Sequence, residues 1–239
     1  MANPTLNENT FNNVDTIYVN QANAMTLNGT IGKSAFLLII TLLGAAFAFV
    51  NGNAQLTQVL MIAGLIIGFI LALVISFKPT TAPMLAPIYA ACEGLALGGI
   101  SMSFEAAYPG IVFQAILGTF ATMFTMLALF LGRIVKVTEK FRAIVLVSTI
   151  SVAVSYLILF VLGLFGISIP IPSTVSIGIS LVVIVVAASN LLLDFDIIER
   201  GVNAFAPKYF EWYCSFGLLV TLVWLYIEFL KLLSKLNRR

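Results

Sequence analysis

The chain has 239 residues, of which 61% are hydrophobic and 9% charged, and its mean hydropathy is +1.08. A soluble domain carries roughly a quarter charged residues, so this much apolar surface exceeds what one core can bury and lipid must replace water around it. The composition predicts a polytopic, all-α membrane protein. A net charge of +2, with no basic stripe interleaved with aromatics, excludes a nucleic-acid partner. The chain has no histidine and two cysteines, Cys92 and Cys214, both in apolar segments. That set excludes a zinc site and any Ser-His-Asp or Cys-His catalyst, and a structural disulfide is not expected. Without histidine, a pH response near neutrality falls to carboxyl groups shifted by burial.

The first 30 residues are polar, Asn-rich and lack an apolar h-region, so they do not read as a signal peptide. They are expected to form a polar tail over 1–32, ahead of a membrane domain over 33–239. A spanning helix needs about 20 mostly apolar residues. Seven segments qualify: Ser34–Val50, Leu56–Phe77, Ala82–Ser103, Ile111–Gly132, Ala143–Gly166, Val175–Leu193 and Trp212–Leu233. Turn chemistry separates them, with NGN at 51–53, KPTTAP at 78–83, YPG at 108–110 and SIPIPST at 168–174. Gly64/Gly68 and Gly94/Gly98 are small-xxx-small pairs suited to close helix packing.

One side of such a bundle holds Lys33, Lys78, Arg133, Lys136, Lys140, Arg142, Arg200 and Lys208, while the internal loops of the other side hold no Lys or Arg. The positive-inside rule then places the N-terminus inside. The basic tail KLLSKLNRR would lie outside. A re-entrant hairpin of the last two segments would bring both termini inside, but both are long enough to cross, so seven spans are expected.

Acids within spans are costly and mark functional positions by default. Glu93 sits mid-span in IYAACEGLALGG among small residues; a packing pair with a neighbouring helix is its plainer role. Glu228 has Lys231 one turn later, the spacing of an ordinary i,i+3 ion pair. Thr221 lies on the same helical face as Glu228, about 10 Å along the axis. In span six Ser176, Ser180, Ala187, Asn190 and Asp194 form a small or polar stripe that ends on Asp194. Asp196 points away from that stripe with Arg200 at i,i+4, and Glu199 points elsewhere again. These three read as an interfacial rim where the helix reaches water. No HExxH, GxSxG, P-loop or Gly-x-Gly-Asp arrangement is present, so an enzyme is not expected.

Three stretches carry a family resemblance: APIYAACEGLALGGISMSFEAAYPGIVFQA, RIVKVTEKFR, and LLLDFDIIERGVNAFAPKYFEWYCSFGLLVTLVWLYIEFLKLL. They resemble bacterial members of the Bax inhibitor-1 (transmembrane Bax inhibitor motif) family, in particular its YccA-like branch, from about Lys33 onward. The resemblance implies a seven-helix bundle with the last helix enclosed by the others. It also implies a proton-sensitive calcium leak, latched at the cytosolic end by two aspartates that share a proton. Eukaryotic relatives suppress cell death. The family's helix-six aspartate corresponds to Asp194. An ungapped match of the last helix puts Thr221 at the second aspartate and Lys231 at the family's arginine; a shifted match gives that role to Glu228. Lys78 corresponds to a basic residue near the start of span three.

Within this chain Asp194 could hydrogen-bond to Thr221, or pair with Glu93 if spans three and six touch; the expectation is an Asp194/Glu93 pair, with Glu228 at the far end of the same path. Hard oxygen donors such as Glu93, Asp194 and Glu228 suit Ca²⁺ in transit, though no resident metal or cofactor is expected. The first functional expectation is a pH-sensitive cation leak in a bacterial cytoplasmic membrane. The second is a regulatory membrane protein that modulates a membrane protease or another integral membrane partner, which the polar tail favours. A purely structural membrane role would leave Glu93 unexplained.

Overall fold

The computed structural model describes residues 24–51, 54–167 and 172–238. Seven helices follow one another: α1 (Leu27–Val50), α2 (Ala54–Phe77), α3 (Ala82–Ala107), α4 (Ile111–Leu131), α5 (Glu139–Leu164), α6 (Ser173–Asn203) and α7 (Tyr209–Asn237), with a single 3₁₀ turn at Pro79–Thr81. All seven are long and apolar enough to cross a membrane, and the chain is an integral multi-pass membrane protein.

Local chemistry sets the helix ends. Thr26 caps α1, its hydroxyl accepting from Gly29 N at 3.0 Å, and Thr138 caps α5 by accepting from Phe141 N at 3.2 Å. The α3–α4 turn needs a left-handed residue, supplied by Gly110 at φ 85°. Glu105 closes that turn by accepting from Gly110 N (2.6 Å) and Val112 N (3.1 Å), where a carboxylate also favours the positive end of α4. Two expected boundaries move furthest. α1 begins at Leu27, inside the stretch expected to be tail, and α6 runs on through Asp194, Asp196 and Arg200 to Asn203 instead of ending near Leu193. The tail itself lies outside the described residues up to position 23.

α7 is the central helix. Leu225 and Leu230 are fully enclosed and Leu219 nearly so, and the helix packs on α1, α3, α4 and α6. By contrast α5 turns Leu157 and Phe160 outward, 60% and 65% exposed, as lipid-facing residues should be. With no hydrophobic drive between helices in lipid, close approach decides the packing. Both glycine pairs serve it. A Cβ on Gly94 would lie 3.0 Å from Thr41 Cα of α1, and one on Gly64 would lie 2.5 Å from the Cys92 carbonyl of α3. α1 and α2 thus clasp α3 from two sides through backbone contact.

The last two segments are continuous helices, each long and apolar enough to cross, which does not fit a re-entrant hairpin. The basic residues therefore divide between two ends. Lys33, Arg133, Arg142 and Arg200 gather with Glu211, Asp196 and Glu199 at one end, while Arg238 donates to the Tyr108 hydroxyl (2.9 Å) at the other.

Candidate functional site

Asp194 and Thr221 meet where α6 packs on α7. The Thr221 hydroxyl donates to Asp194 Oδ2 at 2.6 Å and also lies 3.2 Å from the Gly217 carbonyl one turn back. Gly217 lies beside the carboxylate, where a Cβ would make ordinary contact with Asp194 Oδ1 at 4.0 Å. The bond to Thr221 is the alternative that the stripe on α6 and the Thr221 face of α7 allow beside the expected Asp194–Glu93 pair. No Lys or Arg forms an ion pair with Asp194 among the described residues. Its side chain instead faces a cavity of about 300 Å³ that it shares with Ser76, Tyr213, Cys214 and Gly217. Both cysteines are free thiols.

The two contacts of the Thr221 hydroxyl allow two proton arrangements. An ionised Asp194 accepts the hydroxyl proton. A protonated Asp194 can donate to Thr221, whose own proton then turns to the Gly217 carbonyl. The α6–α7 contact is satisfied either way, and the change falls on the charge presented to the cavity. A carboxylate with no cation beside it, on a cavity wall, is suited to attract a cation or hold a proton.

The expected Asp194–Glu93 pair does not form. Asp194 bonds to Thr221, and Glu93 on α3 faces α2, where a Cβ on Gly68 would lie 3.1 Å from its Oε2. Tyr89, one turn earlier, is its polar neighbour. The reason is topological: α3 packs on α1 and α2, and α6 packs on α4, α5 and α7. Lys78 precedes the 3₁₀ turn and makes no ion pair among the described residues.

Glu228 is fully enclosed in α7, where its Oε1 accepts from Lys231 Nζ and from the Tyr156 hydroxyl of α5, both at 2.9 Å. The i,i+3 ion pair is present as spaced, and the Tyr156 contact was not visible in the sequence. Above Asp194 on α6, Asn190 donates to Thr149 of α5 at 2.7 Å, and Ser180 accepts from Lys235 of α7 at 2.7 Å. The polar stripe thus bonds to two different helices.

The rim reading needs correction at Asp196 alone, since Glu199 and Arg200 remain partly exposed. Asp196 is only 9% exposed and holds Arg142 of α5 (2.6 Å) as well as Arg200 (2.9 Å); Arg200 also approaches Glu139 at 3.6 Å. Glu199 pairs with Arg133 of the α4–α5 loop. These groups tie the ends of α4, α5 and α6 together, which is why α6 stays helical through its charged stretch. In the exposed Arg133, the Glu199 carboxylate holds the guanidinium above its ordinary range. Sequence reasoning also passed over Glu211, fully enclosed at the start of α7. It accepts from Thr26 N (2.8 Å) and the Thr26 hydroxyl (3.0 Å), and forms an ion pair with Lys33. Met25 N donates to the Ala206 carbonyl at 2.7 Å, so the chain ahead of α1 is fastened across the α6–α7 loop. An acid inside the apolar stretch YFEWYC was the available signal.

A second cavity, about 320 Å³, lies between α1, α3, α4 and α7 and carries no carboxylate or cation on its wall. Among the described residues no cluster of three metal-ligating side chains occurs. A comparison with curated proteins finds no significant match. The family model described as Bax inhibitor 1 like matches residues 3–238, nearly the whole chain. On that match the chain belongs to the Bax inhibitor 1-like family.

Proposed function

We propose that the protein passes cations, Ca²⁺ foremost, across its membrane, and that the charge state of Asp194 regulates the passage. The observation that carries this reading is a carboxylate with no basic partner among the described residues, on the wall of a half-open cavity between helices long enough to span a membrane. Burying such a group is costly unless it serves a ligand or a proton. Ionised, Asp194 gives a hard oxygen donor that suits Ca²⁺. Protonated, it keeps its bond to Thr221 and loses its attraction for a cation. Ile184, Leu191, Leu222 and Leu225 of α6 and α7 belong to one buried apolar cluster, which in this reading would have to part for an ion to pass. The end that carries Asp194 has most of the basic residues, so the positive-inside rule makes it the cytoplasmic end. No enzymatic step is proposed, and the membrane is taken to be a bacterial cytoplasmic one.

The test is reconstitution into proteoliposomes loaded with a Ca²⁺-sensitive dye. Wild-type protein is expected to admit Ca²⁺ at a rate that changes with pH. Asp194→Asn should remove the pH dependence. Absence of flux at every pH would overturn the proposal. The alternative, a modulator of a membrane protease, rests on the polar tail, most of which lies outside the described residues.

A further inference from the structure

Toward the other end of the bundle, about 10 Å along α7 from Thr221, Glu228 is fully enclosed yet only half used. Its Oε1 accepts from Tyr156 and Lys231, whereas Oε2 has no hydrogen-bond partner among the described residues. A buried carboxylate oxygen left unmatched is expensive. The Lys231 ammonium sits 4.5 Å from the centre of the Tyr156 ring, inside cation–π range, so it is held between a carboxylate oxygen and an aromatic face. These are the features that bind a cation of any kind. Lys231 comes from the same helix, three residues on, and its side chain keeps 38% exposure, so it can leave without backbone movement. The other charged group nearby, Lys235, is engaged elsewhere, donating to Ser180 Oγ (2.7 Å) and the Ser176 carbonyl (3.1 Å) of α6. α4 carries no charged residue.

We propose that Glu228 and Tyr156 form a cation site at this end of the bundle, and that Lys231 occupies it as a tethered plug. The ligand class is a small hard cation, Ca²⁺ or an alkali ion. Such an ion can use both carboxylate oxygens and the Tyr156 hydroxyl, including the oxygen that the ammonium leaves idle. Ion entry requires the ammonium to swing aside. The site deepens the cation-passage reading and rests on it, but its occupancy can be measured without transport.

Lys231→Met in purified protein should create a Ca²⁺-dependent rise in thermal stability that wild type lacks, and adding Glu228→Gln should abolish it. In proteoliposomes the same Lys231→Met change should raise cation flux severalfold. Removing Lys231 leaves a buried carboxylate unpaired, so Lys231→Cys in a Cys92→Ala, Cys214→Ala background supplies a second route. Its flux should exceed that of its parent and fall back when methanethiosulfonate ethylammonium restores an ammonium at that position. Cation-dependent stabilisation in Lys231→Met with no flux from any variant keeps the site and removes the transport reading. Flux in wild type that neither Lys231 substitution changes, or stabilisation that survives Glu228→Gln, would overturn the site.

Discussion

Replacing Glu211 by alanine should be among the most damaging single changes at the end of the bundle that carries the N-terminus. The side chain is fully enclosed and answers three donors: Thr26 N at 2.8 Å, the Thr26 hydroxyl at 3.0 Å, and Lys33. Removing one partner of a buried ion pair costs about 3–5 kcal/mol, because the other charge stays behind. Lys33 keeps 18% side-chain exposure and recovers some hydration, which argues for the lower end, about 3 kcal/mol. The unmatched Thr26 N–H adds about 1 kcal/mol. The expected loss is therefore about 4 kcal/mol, read from reversible unfolding in mixed micelles. Glu211→Gln keeps an acceptor for Thr26 and should lose roughly half as much. The paired change Lys33→Met with Glu211→Leu should recover most of the loss, since apolar replacement of both partners removes the stranded charge. A loss for Glu211→Ala below about 1 kcal/mol, or a double variant no better than the single one, would refute the reasoning.

Thr221→Val keeps shape but removes the donor to Asp194, and unfolding should show a loss of about 1–3 kcal/mol. Gly94→Val would drive its side chain into the α1 backbone beside Thr41. It is expected to cost about 1–3 kcal/mol or more in the same assay, while Gly32→Ala, which meets open space, should be neutral or better. Arg142→Ala removes one of two guanidiniums on Asp196, so the loss should stay near about 1–2 kcal/mol and grow when Arg200 is also replaced, because Asp196 then has neither guanidinium. Arg133→Ala, at the exposed pair with Glu199, should leave stability unchanged within error.

The fold was legible because spans in lipid announce themselves by length and hydropathy, and turn residues marked four of the six breaks. The Asp194–Thr221 contact was legible only as the alternative to an Asp194–Glu93 pair, because polar faces on two helices allow a meeting without requiring it. What the sequence concealed lies between helices distant in the chain. Glu211 meets Thr26 across 185 positions and Glu228 meets Tyr156 across 72, and no helical wheel carries that information. Asp196 shows the same limit: spacing revealed Arg200, while Arg142, which makes the site buried, arrives from α5. The Asp194–Glu93 pairing failed because a periodic pattern gives the face of a helix and leaves its neighbour open.

The most direct test of the account is Ca²⁺ entry into proteoliposomes measured across a pH series for wild type and Asp194→Asn, with folding matched by unfolding stability. The account predicts flux in wild type that varies with pH, and flux in Asp194→Asn that is the same at every pH. A pH profile in Asp194→Asn that matches wild type would contradict it.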